Sequence, residues 1–210
     1  MPMNEEARAV CMVAPVVPVI VIKKLEYARP LAEALVAGGL PSLEVTLRTD
    51  CALDAIAEMA KVPGGQVGAG TLRTPADVAA AKAAGATFGV SPGATDTLVD
   101  ACIEQGMPLL PGVASVSEVM SLAEKGFETL KFFPAEANGG VKALGAIASV
   151  FSNIKFCPTG GVNPKNAQDY LALSNVLCVG GSWVVDQALM EAGKWDEIES
   201  IARAAASLER

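Results

Sequence analysis

Short apolar runs alternate with longer Ala- and Leu-rich segments along the chain, and this alternation limits the possible fold more than any other feature. Eight such runs occur, the first at residues 17–22 (VPVIVI) and the last at residues 176–181 (VLCVGG). They recur about every 20 to 26 residues, which is the length of a compact strand–helix unit. Most are continuously apolar, as parallel strands are when helices cover both faces of their sheet. The runs between them are SLEVTL, QVGAGT, FGVSP, PLLPG, TLKFFP and KFCPT, at residues 42–47, 66–71, 88–92, 108–112, 129–134 and 155–159.

The segments between these runs carry signals for helix ends. Thr74 and Asn163 are each followed by proline, which predicts a helix N-cap with proline at the first helical position. Ser115 and Glu118 have the spacing of a capping box. Glycines that follow apolar helical segments predict left-handed C-caps, and these are Gly38, Gly85, Gly106 and Gly126.

Eight strand–helix units without a shift in composition predict an α/β fold, a single-domain (β/α)8 TIM barrel formed by residues 1–210. An open doubly wound sheet is the alternative, but no GxGxxG motif follows the first predicted strand. We expect residues 3–12 to form a short N-terminal helix across the barrel bottom. Residues 195–208 predict a final amphipathic helix.

The sequence contains no histidine. This excludes Ser-His-Asp and Cys-His catalysis and every zinc site that depends on histidine. The five cysteines form no CxxC pair and lie in apolar surroundings, so we expect buried free thiols in a reducing cytoplasm. We therefore expect no metal and no cofactor, and acid–base chemistry falls to Glu, Asp, Lys, Tyr or Cys.

Acidic residues outnumber basic ones by 23 to 16, which gives a net charge of −7. Because a net acidic surface repels DNA, RNA and anionic membranes, we expect neither nucleic acid nor membrane as a partner, although a small anion can bind at a local basic spot. The uncharged stretch near the N-terminus, residues 9–22, is too short to span a bilayer and contains two prolines. Glu5 and Glu6 stand where a signal peptide would be basic, so we expect a cytoplasmic protein.

Side-chain alternation predicts which polar residues point into the barrel. In the second run the apolar residues form the face toward the helices, so Glu44 and Thr46 point inward and Arg48 lies at the top. In the sixth run the same alternation turns Lys131 and Phe133 inward. Active sites of such barrels lie at the carboxyl ends of the strands, so one lysine and one glutamate are expected to meet near the catalytic rim.

Two interpretations of this pair remain open. It is either a structural ion pair inside the barrel, because a buried cation and carboxylate need each other, or a Schiff-base site. Burial disfavours the charged form of an amine and makes it nucleophilic toward ketones. Phe132 and Phe133 supply apolar surface beside Lys131. A protonated imine accepts electrons and permits C–C cleavage without a metal, which suits a chain without histidine.

Glycine pairs end the last two predicted strands. Gly160 and Gly161 follow Thr159, and Gly180 and Gly181 precede Ser182. Phosphate sites in these barrels are often built from backbone N–H groups in the loops after strands seven and eight. Turns also use Gly-Gly freely, but two pairs at the expected strands favour a phosphate cradle. The ANGG run at residues 137–140 is either another anion loop or a hinge before a helix.

Five segments together resemble 2-keto-3-deoxy-6-phosphogluconate (KDPG) aldolase, and they follow the order of that family. They are LEVTLRT, VGAGT, KFFPAEANGGVKAL, FCPTGGV and GGSWVV, at residues 43–49, 67–71, 131–144, 156–162 and 180–185. The resemblance covers nearly the whole chain. It implies a (β/α)8 barrel that assembles as a homotrimer and requires no metal.

The resemblance also assigns roles to residues of this chain. It makes Lys131 the Schiff-base lysine and Glu44 the proton acceptor and donor, and it makes Arg48 the residue that binds the substrate carboxylate. Residues implied to line the substrate pocket are Thr71, Pro92, Phe133 and Thr159, the last of which contacts a substrate hydroxyl. Residues implied to bind phosphate are Gly160, Gly161, Gly181 and Ser182.

The expected reaction is cleavage of 2-dehydro-3-deoxy-6-phosphogluconate to pyruvate and glyceraldehyde 3-phosphate, a step of the Entner–Doudoroff pathway. The resemblance implies side activity on 4-hydroxy-2-oxoglutarate and oxaloacetate. Three alternatives remain. The first is an aldolase that prefers another 2-keto acid, such as 4-hydroxy-2-oxoglutarate. The second is a phosphosugar isomerase or epimerase, in which Glu44 is the base, Lys131 is an electrostatic clamp and no covalent adduct forms. The third is a non-catalytic binding barrel.

Overall fold

Nine short parallel strands carry the fold in a computed structural model that describes residues 2–210, with side chains from residue 5 onward. Met1, which the expected domain includes, lies outside the described residues. The strands form two sheets, of order β5-β4-β3-β2-β1-β9 and β6-β7-β8. Their bounds are β1 Val16–Ile20, β2 Ser42–Thr46, β3 Gln66–Gly70, β4 Phe88–Val90, β5 Leu109–Leu110, β6 Gly112–Val113, β7 Thr129–Phe132, β8 Lys155–Pro158 and β9 Val179–Gly181.

The fifth apolar run, expected as one strand, is divided at Pro111 into β5 and β6. Proline has no N–H for the ladder, and the chain changes its pairing partner there from β4 to β7. Only isolated parallel bridges, Phe156–Val176 and Thr159–Gly180, connect the β8 and β9 segments. Within residues 2–210 the ladders therefore give a parallel α/β fold with a curled six-stranded sheet, rather than one unbroken eight-stranded ladder.

Ten α-helices follow or connect the strands within the described residues, together with a short 3-10 helix at Leu25–Tyr27. Their bounds are α1 Pro2–Val13, α2 Ala28–Ala37, α3 Ala52–Met59, α4 Pro75–Ala83, α5 Asp96–Gln105, α6 Val116–Glu124, α7 Gly140–Ala148, α8 Ala167–Leu171, α9 Gln187–Glu191 and α10 Trp195–Ala206. The expected N-terminal and final helices are thus present. None of the helices described is long and apolar enough to cross a membrane.

Two of the predicted helix starts are confirmed. Thr74 and Ser115 each accept a hydrogen bond from the backbone of the N3 residue, whose carboxylate accepts in return from the cap backbone. The third prediction is displaced. Asn163 accepts from the backbone N–H of Lys165 and so caps a turn, and α8 starts only at Ala167. The proline after Asn163 therefore begins a turn that leads into the helix.

Three of the four predicted left-handed glycines are confirmed, with φ of 99° at Gly85, 61° at Gly106 and 85° at Gly126. Gly38 is an exception, because its φ is −75° and Gly39 adopts the left-handed conformation instead. A Cβ on Gly38 would lie 2.5 Å from the Cβ of Ala202. Glycine at position 38 therefore serves the close packing of α2 against α10.

Apolar side chains form two separate cores. The larger lies between the strands and the helices and contains the outward strand residues, among them Leu43, Val45, Leu130 and Phe132. The smaller lies on the inward face of the strands and includes residues of α1. Ser42, at the start of β2, donates to the carbonyl of Val10 at 3.1 Å, so α1 lies at the amino ends of the strands. This inner floor consists of Val10, Cys11, Val17, Phe88, Val90, Leu110, Cys157, Leu177 and Cys178.

Candidate active site

Lys131 of β7 and Glu44 of β2 meet on the inward face of the strands. Lys131 Nζ lies 3.1 Å from Glu44 Oε1 and 3.5 Å from Oε2. The two residues are 5% and 3% exposed. They come from strands that lie in different sheets, so the contact depends on the fold and not on local sequence. The fold therefore holds a buried amine against a buried carboxylate.

Gly70 makes the space that the Glu44 carboxylate occupies. The two residues lie on neighbouring strands, and a Cβ on Gly70 would be 2.4 Å from Glu44 Oε1. Gly70 belongs to the VGAGT segment that carries the family resemblance, but neither the strand pattern nor the resemblance predicted a role for it. An inward glycine beside an inward carboxylate is a signal that could have identified it, since glycine in a strand often marks close approach of another group.

Burial raises the pKa of the Glu44 carboxyl above its ordinary value. The charge and hydrogen bond of Lys131 act in the opposite direction, as does Arg48, while Cys157 adds to the rise. The loss of solvation is the largest of these effects. A carboxyl with a raised pKa can both hold and release a proton closer to neutral pH, which is the property required of a general acid–base.

Arg48 is held at the top of β2 by a chain of hydrogen bonds. Its Nε donates to Thr46 Oγ1 at 3.1 Å, and Thr46 Oγ1 donates to the carbonyl of Ile20 at 2.8 Å. Thr46 is buried, and this positioning role was absent from the sequence analysis, which placed Thr46 inside without a function. The guanidinium is thereby tied to β1 through β2, with its remaining N–H groups available to an anion.

A cavity of about 150 Å³ opens above the Lys131–Glu44 pair. Lys131 Nζ lies 5.4 Å from the centroid of the Phe133 ring, so an aromatic face borders the amine. Thr71 has a φ of 64°, the only positive φ outside glycine among residues 2–210, and such strain concentrates at functional sites. The cavity is lined by Val19, Glu44, Thr46, Arg48, Thr71, Pro92, Lys131, Phe133 and Thr159.

A second cavity of about 160 Å³ shares four lining residues with the first, and they are Val19, Arg48, Phe133 and Thr159. Its other lining residues are Gly160, Gly161, Val162, Gly180 and Ser182. Gly180 lines it in place of Gly181, whose missing side chain would instead meet the ring of Trp183. A Cβ on Gly180 would lie 2.2 Å from Thr159 Oγ1, so this glycine makes room for the threonine.

The ANGG run leads directly into α7, which begins at Gly140, and both of its glycines have positive φ. The loop before it is fastened to the end of β8 by backbone hydrogen bonds from Ala135 to Thr159 and from Glu136 to Gly160. Tyr170 donates a hydrogen bond to the Glu136 carboxylate. The run therefore acts as the entry to a helix beside the second cavity, and it does not line that cavity.

Across the described chain, no group of three or more His, Cys, Asp or Glu residues is arranged to hold a metal ion. The two cavities adjoin at Val19, Arg48, Phe133 and Thr159, with an amine and a carboxylate lining one and glycine turns lining the other. The arrangement can take an elongated molecule with a ketone at one end and an anion at the other.

The family model described as "Aldolase: KDPG and KHG aldolase" matches residues 7–201. The chain is 56% identical over 200 residues to the KHG/KDPG aldolase of Escherichia coli K12, covering 95% of this chain and 94% of that protein. Among solved structures, KDPG aldolase of Zymomonas mobilis ZM4 with 3-phosphoglycerate has a TM-score of 0.93 at 48% identity, covering 99% of this chain and 98% of that one.

A KDPG aldolase from Legionella pneumophila, solved with pyruvate captured as a covalent carbinolamine intermediate, also has a TM-score of 0.93. It is 50% identical to this chain and the alignment covers 95% of this chain and 98% of that one. These likenesses extend over almost the full length of the chain and confirm the resemblance found from its motifs. The chain belongs to the KDPG and KHG aldolase family.

Proposed function

We propose that this chain is a class I aldolase that cleaves 2-dehydro-3-deoxy-6-phosphogluconate to pyruvate and glyceraldehyde 3-phosphate. The observation that carries the proposal is the buried contact of 3.1 Å between Lys131 Nζ and Glu44 Oε1 at the base of an open cavity. Family membership supports it, and so does the Legionella pneumophila relative, whose pyruvate is bound as a carbinolamine.

In the proposed reaction, the amine of Lys131 attacks the C2 ketone, and the carbinolamine loses water to form an iminium ion. Glu44, directly or through a water molecule, moves protons in these steps. It then accepts the C4 hydroxyl proton as the C3–C4 bond breaks, and the bonding electrons pass into the iminium to give an enamine. Protonation at C3 and hydrolysis release pyruvate and restore Lys131. Arg48 holds the substrate carboxylate by charge-assisted hydrogen bonds.

The second cavity is proposed to take the phosphate. Gly160 and Gly161 have φ of 97° and 84°, and backbone N–H groups at such turns can approach an anion without obstruction. Ser182 adds a hydroxyl at the same cavity. The Zymomonas mobilis relative bound to 3-phosphoglycerate supports a phosphorylated ligand. A phosphate site disfavours 4-hydroxy-2-oxoglutarate as the main substrate and leaves it, with oxaloacetate, as a side activity.

The alternative of an isomerase or epimerase without a covalent intermediate has no support from the family model or from the relatives reported above. A non-catalytic barrel does not account for a buried lysine and glutamate facing a cavity. We also propose that this aldolase acts in the Entner–Doudoroff pathway, in the cytoplasm. Five free cysteines, four of them buried, suit that reducing compartment.

The proposal extends to the closure of the strands into a (β/α)8 barrel. Pro111 joins the two sheets along the chain, and its carbonyl accepts from the backbone of Lys131 at 2.8 Å. At the other seam the Thr159–Gly180 bridge joins the ends of β8 and β9. With β5 and β6 counted as one interrupted strand, these connections complete a ring of eight.

A homotrimer is proposed as the working assembly. Exposed apolar side chains on two adjacent helices support an association surface, and they are Ile103 of α5 with Val116 and Met120 of α6. Nζ of Lys125, the C-cap residue of α6, lies 3.2 Å from Asp96 Oδ1 of α5, which places the end of α6 beside the start of α5. Sedimentation equilibrium measures the assembly, and a monomer at micromolar concentration contradicts it.

Steady-state kinetics test the proposed reaction. Pyruvate release is expected with kcat/KM much higher for the phosphorylated keto acid than for 4-hydroxy-2-oxoglutarate. Exhaustive chelation with EDTA is expected to leave both values unchanged, because an iminium needs no Lewis acid. Ser182→Asp is expected to lower kcat/KM mainly for the phosphorylated substrate through like-charge repulsion. Equal losses for both substrates contradict the phosphate assignment, and loss with EDTA that a divalent ion restores contradicts the Schiff-base mechanism.

A further inference from the structure

Lys23 continues the inward face of β1 beyond the end of the strand. Val19 and Val21 precede it at intervals of two, and all three residues line a cavity of about 290 Å³. Side chains two residues apart in an extended segment share one face. The lysine therefore lies at the rim of the strand interior, at the same end as the proposed active site.

This cavity adjoins the proposed phosphate cavity. Val19 and Ser182 line both, and the remaining walls of the cavity around Lys23 are Val185 and Gln187. The serine hydroxyl thus lies between the glycine turns on one side and the lysine on the other. Within residues 2–210, Lys23 forms no ion pair with a carboxylate, so its charge is not already neutralised.

The neighbouring Lys24 differs from Lys23 both in its ion pairing and in its position relative to the cavities. Its Nζ lies 3.9 Å from Glu26 Oε1 and 5.4 Å from the centroid of the Tyr27 ring. It lines none of the three adjoining cavities. Two adjacent lysines therefore point to opposite sides of the chain, one to the rim of the site and one to the outside, and Lys24 is a matched control.

Gln187 supplies an acceptor that suits a lysine. Its Nε2 donates to the carbonyl of Val21 at 3.0 Å, and this bond sets the orientation of the amide. Its Oε1 is buried and has no hydrogen-bond partner in the described part of the chain. A buried acceptor without a partner is costly, and an ammonium group has three donors and no acceptor. Gln187 Oε1 can therefore take one donor of Lys23 and leave the others to an anion.

We propose that Lys23 provides the positive charge that neutralises the substrate phosphate, with Gln187 as the residue that positions it. The inference rests on the proposed function, since it names the charge that the phosphate end of that site requires. A phosphate monoester carries almost two negative charges near neutral pH. Glycine N–H groups and the Ser182 hydroxyl offer dipoles only, and Arg48 is committed to the carboxylate in the proposed reaction. Lys23 thereby selects phosphorylated over unphosphorylated keto acids.

The kinetic test compares Lys23→Met with Lys24→Met. Lys23→Met is expected to lower kcat/KM for the phosphorylated substrate about 10-fold or more, mainly through KM, because it removes a charge-assisted contact. The value for 4-hydroxy-2-oxoglutarate is expected to change less than about 2-fold, and Lys24→Met is expected to leave both substrates within that range. The loss should shrink as salt rises, because exposed charges are screened. Lys23→Arg is expected to restore most of the activity, and Gln187→Leu to raise KM without lowering kcat.

A binding measurement separates this inference from the aldolase proposal. Calorimetric titration with 3-phosphoglycerate requires no aldol chemistry, and D-glycerate is the control that lacks the phosphate. Weaker binding of 3-phosphoglycerate to Lys23→Met, with Lys24→Met unchanged, supports the inference even if the wild-type chain fails to cleave the keto acid. Equal binding by the wild type and both variants overturns it, and so does a loss for Lys23→Met that is the same with glycerate.

Discussion

The two ends of the strand interior differ in chemistry although the same strands build both. At the carboxyl ends, Lys131 and Glu44 face an open cavity with Arg48 at its rim. At the amino ends, the inward side chains are mainly apolar residues and thiols, with the buried Ser42 hydroxyl bonded to α1, and α1 covers them. The charged pair is thus confined to the end of the interior that a ligand can reach. The floor closes the interior beneath the charged pair with buried apolar side chains.

Burial encloses the cysteines of the floor, and Cys178 shows how a thiol is kept inert there. Cys11, Cys157 and Cys178 are each 2% exposed or less. Hydrogen bonding to Cys11 and Cys157, together with burial, holds the pKa of the Cys178 thiol well above its usual range. A protonated, enclosed thiol is a poor nucleophile. Cys157 pairs in register with Lys131 across β7 and β8, so the boundary between floor and site passes between these two residues.

The largest effect is expected for Lys131→Met, which replaces the amine at the carboxyl ends of the strands with an apolar side chain like those of the floor. Loss of the nucleophile is expected to lower kcat by about 10⁴-fold or more. The fold should remain, because Glu44 can be protonated once its partner is gone. Lys155→Met is the matched control, since this lysine on β8 donates to the Ser174 carbonyl at 2.9 Å outside the site. Comparable losses in both variants would show that stability, and not chemistry, is being measured.

Glu44→Gln tests the other half of the pair. Removal of a positioned general acid–base is expected to lower kcat about 10²–10⁴-fold while the far-ultraviolet circular dichroism remains unchanged. Glutamine keeps the size of the side chain and its fit over Gly70. A variant with normal kcat and only a lower melting temperature would mean that the pair is a structural ion pair.

The pH dependence follows from the raised pKa of Glu44. Since the proposed role needs the carboxylate, kcat/KM should fall as the pH drops through a pKa above the ordinary value for glutamate, and Glu44→Gln should lack this limb.

The stability of the fold depends on pH in the opposite direction, because the raised pKa of Glu44 adds to the free energy of unfolding at low pH and not at high pH. Between the ordinary and the raised pKa the folded chain holds a proton that the unfolded chain has released. This contribution is present below the ordinary pKa and is lost as pH rises through the raised one. Denaturation midpoints of both proteins across that range check the sign.

Gly68 and Gly70 both lie on the inward face of β3. Gly68 adjoins the floor and Gly70 adjoins the site, so substitutions at the two positions compare the two ends of the interior. A Cβ on Gly70 would lie 2.4 Å from Glu44 Oε1, whereas a Cβ on Gly68 would lie 2.3 Å from the Phe88 ring in the floor. Gly70→Ala should lower kcat by about 10- to 100-fold through misplacement of the carboxylate. Gly68→Ala should instead lower the unfolding free energy by about 1–3 kcal/mol through overpacking, with kcat nearly unchanged in the folded fraction. The same outcome for both variants would contradict the division between floor and site.

The smallest effect is expected for Cys11→Ala in the floor. The residue is fully buried in α1. Its truncation should cost about 1 kcal/mol of unfolding free energy and change kcat less than about 2-fold. In the wild-type chain the three floor thiols should react with a thiol reagent only at the rate of local unfolding. Rapid modification with loss of activity would show that the floor is open to solvent.

Local periodicity was sufficient to predict that Lys131 and Glu44 point inward. Alternation in a strand is a property of a few consecutive residues, so the inward side of β2 and β7 follows from the apolar partners of each residue. Helix starts at Thr74 and Ser115 are predictable for the same reason, because a capping box lies within four residues. The aldolase family was also identifiable, since its motifs are contiguous segments.

Contacts between distant segments were not predictable in this way. The space that Gly70 leaves for Glu44 depends on the register of two strands, and the bond from Thr46 to Ile20 depends on which strands are neighbours. The division of the fifth run at Pro111 reflects a change of pairing partner. Gly38 does end α2 as its C-cap, but the predicted left-handed conformation is wrong, because its packing against Ala202 of α10 leaves no trace in the nearby sequence.

Trapping of the imine tests the central claim most directly. Incubation with pyruvate and borohydride should inactivate the protein, and peptide mass spectrometry should find the reduced pyruvyl adduct on Lys131. Borohydride alone, and pyruvate alone, should leave activity intact. Glu44→Gln should form the same adduct more slowly, and Lys131→Met should form none. An unmodified Lys131 in an inactivated protein, or an adduct on Lys23, Lys142 or Lys155 instead, would contradict the Schiff-base mechanism.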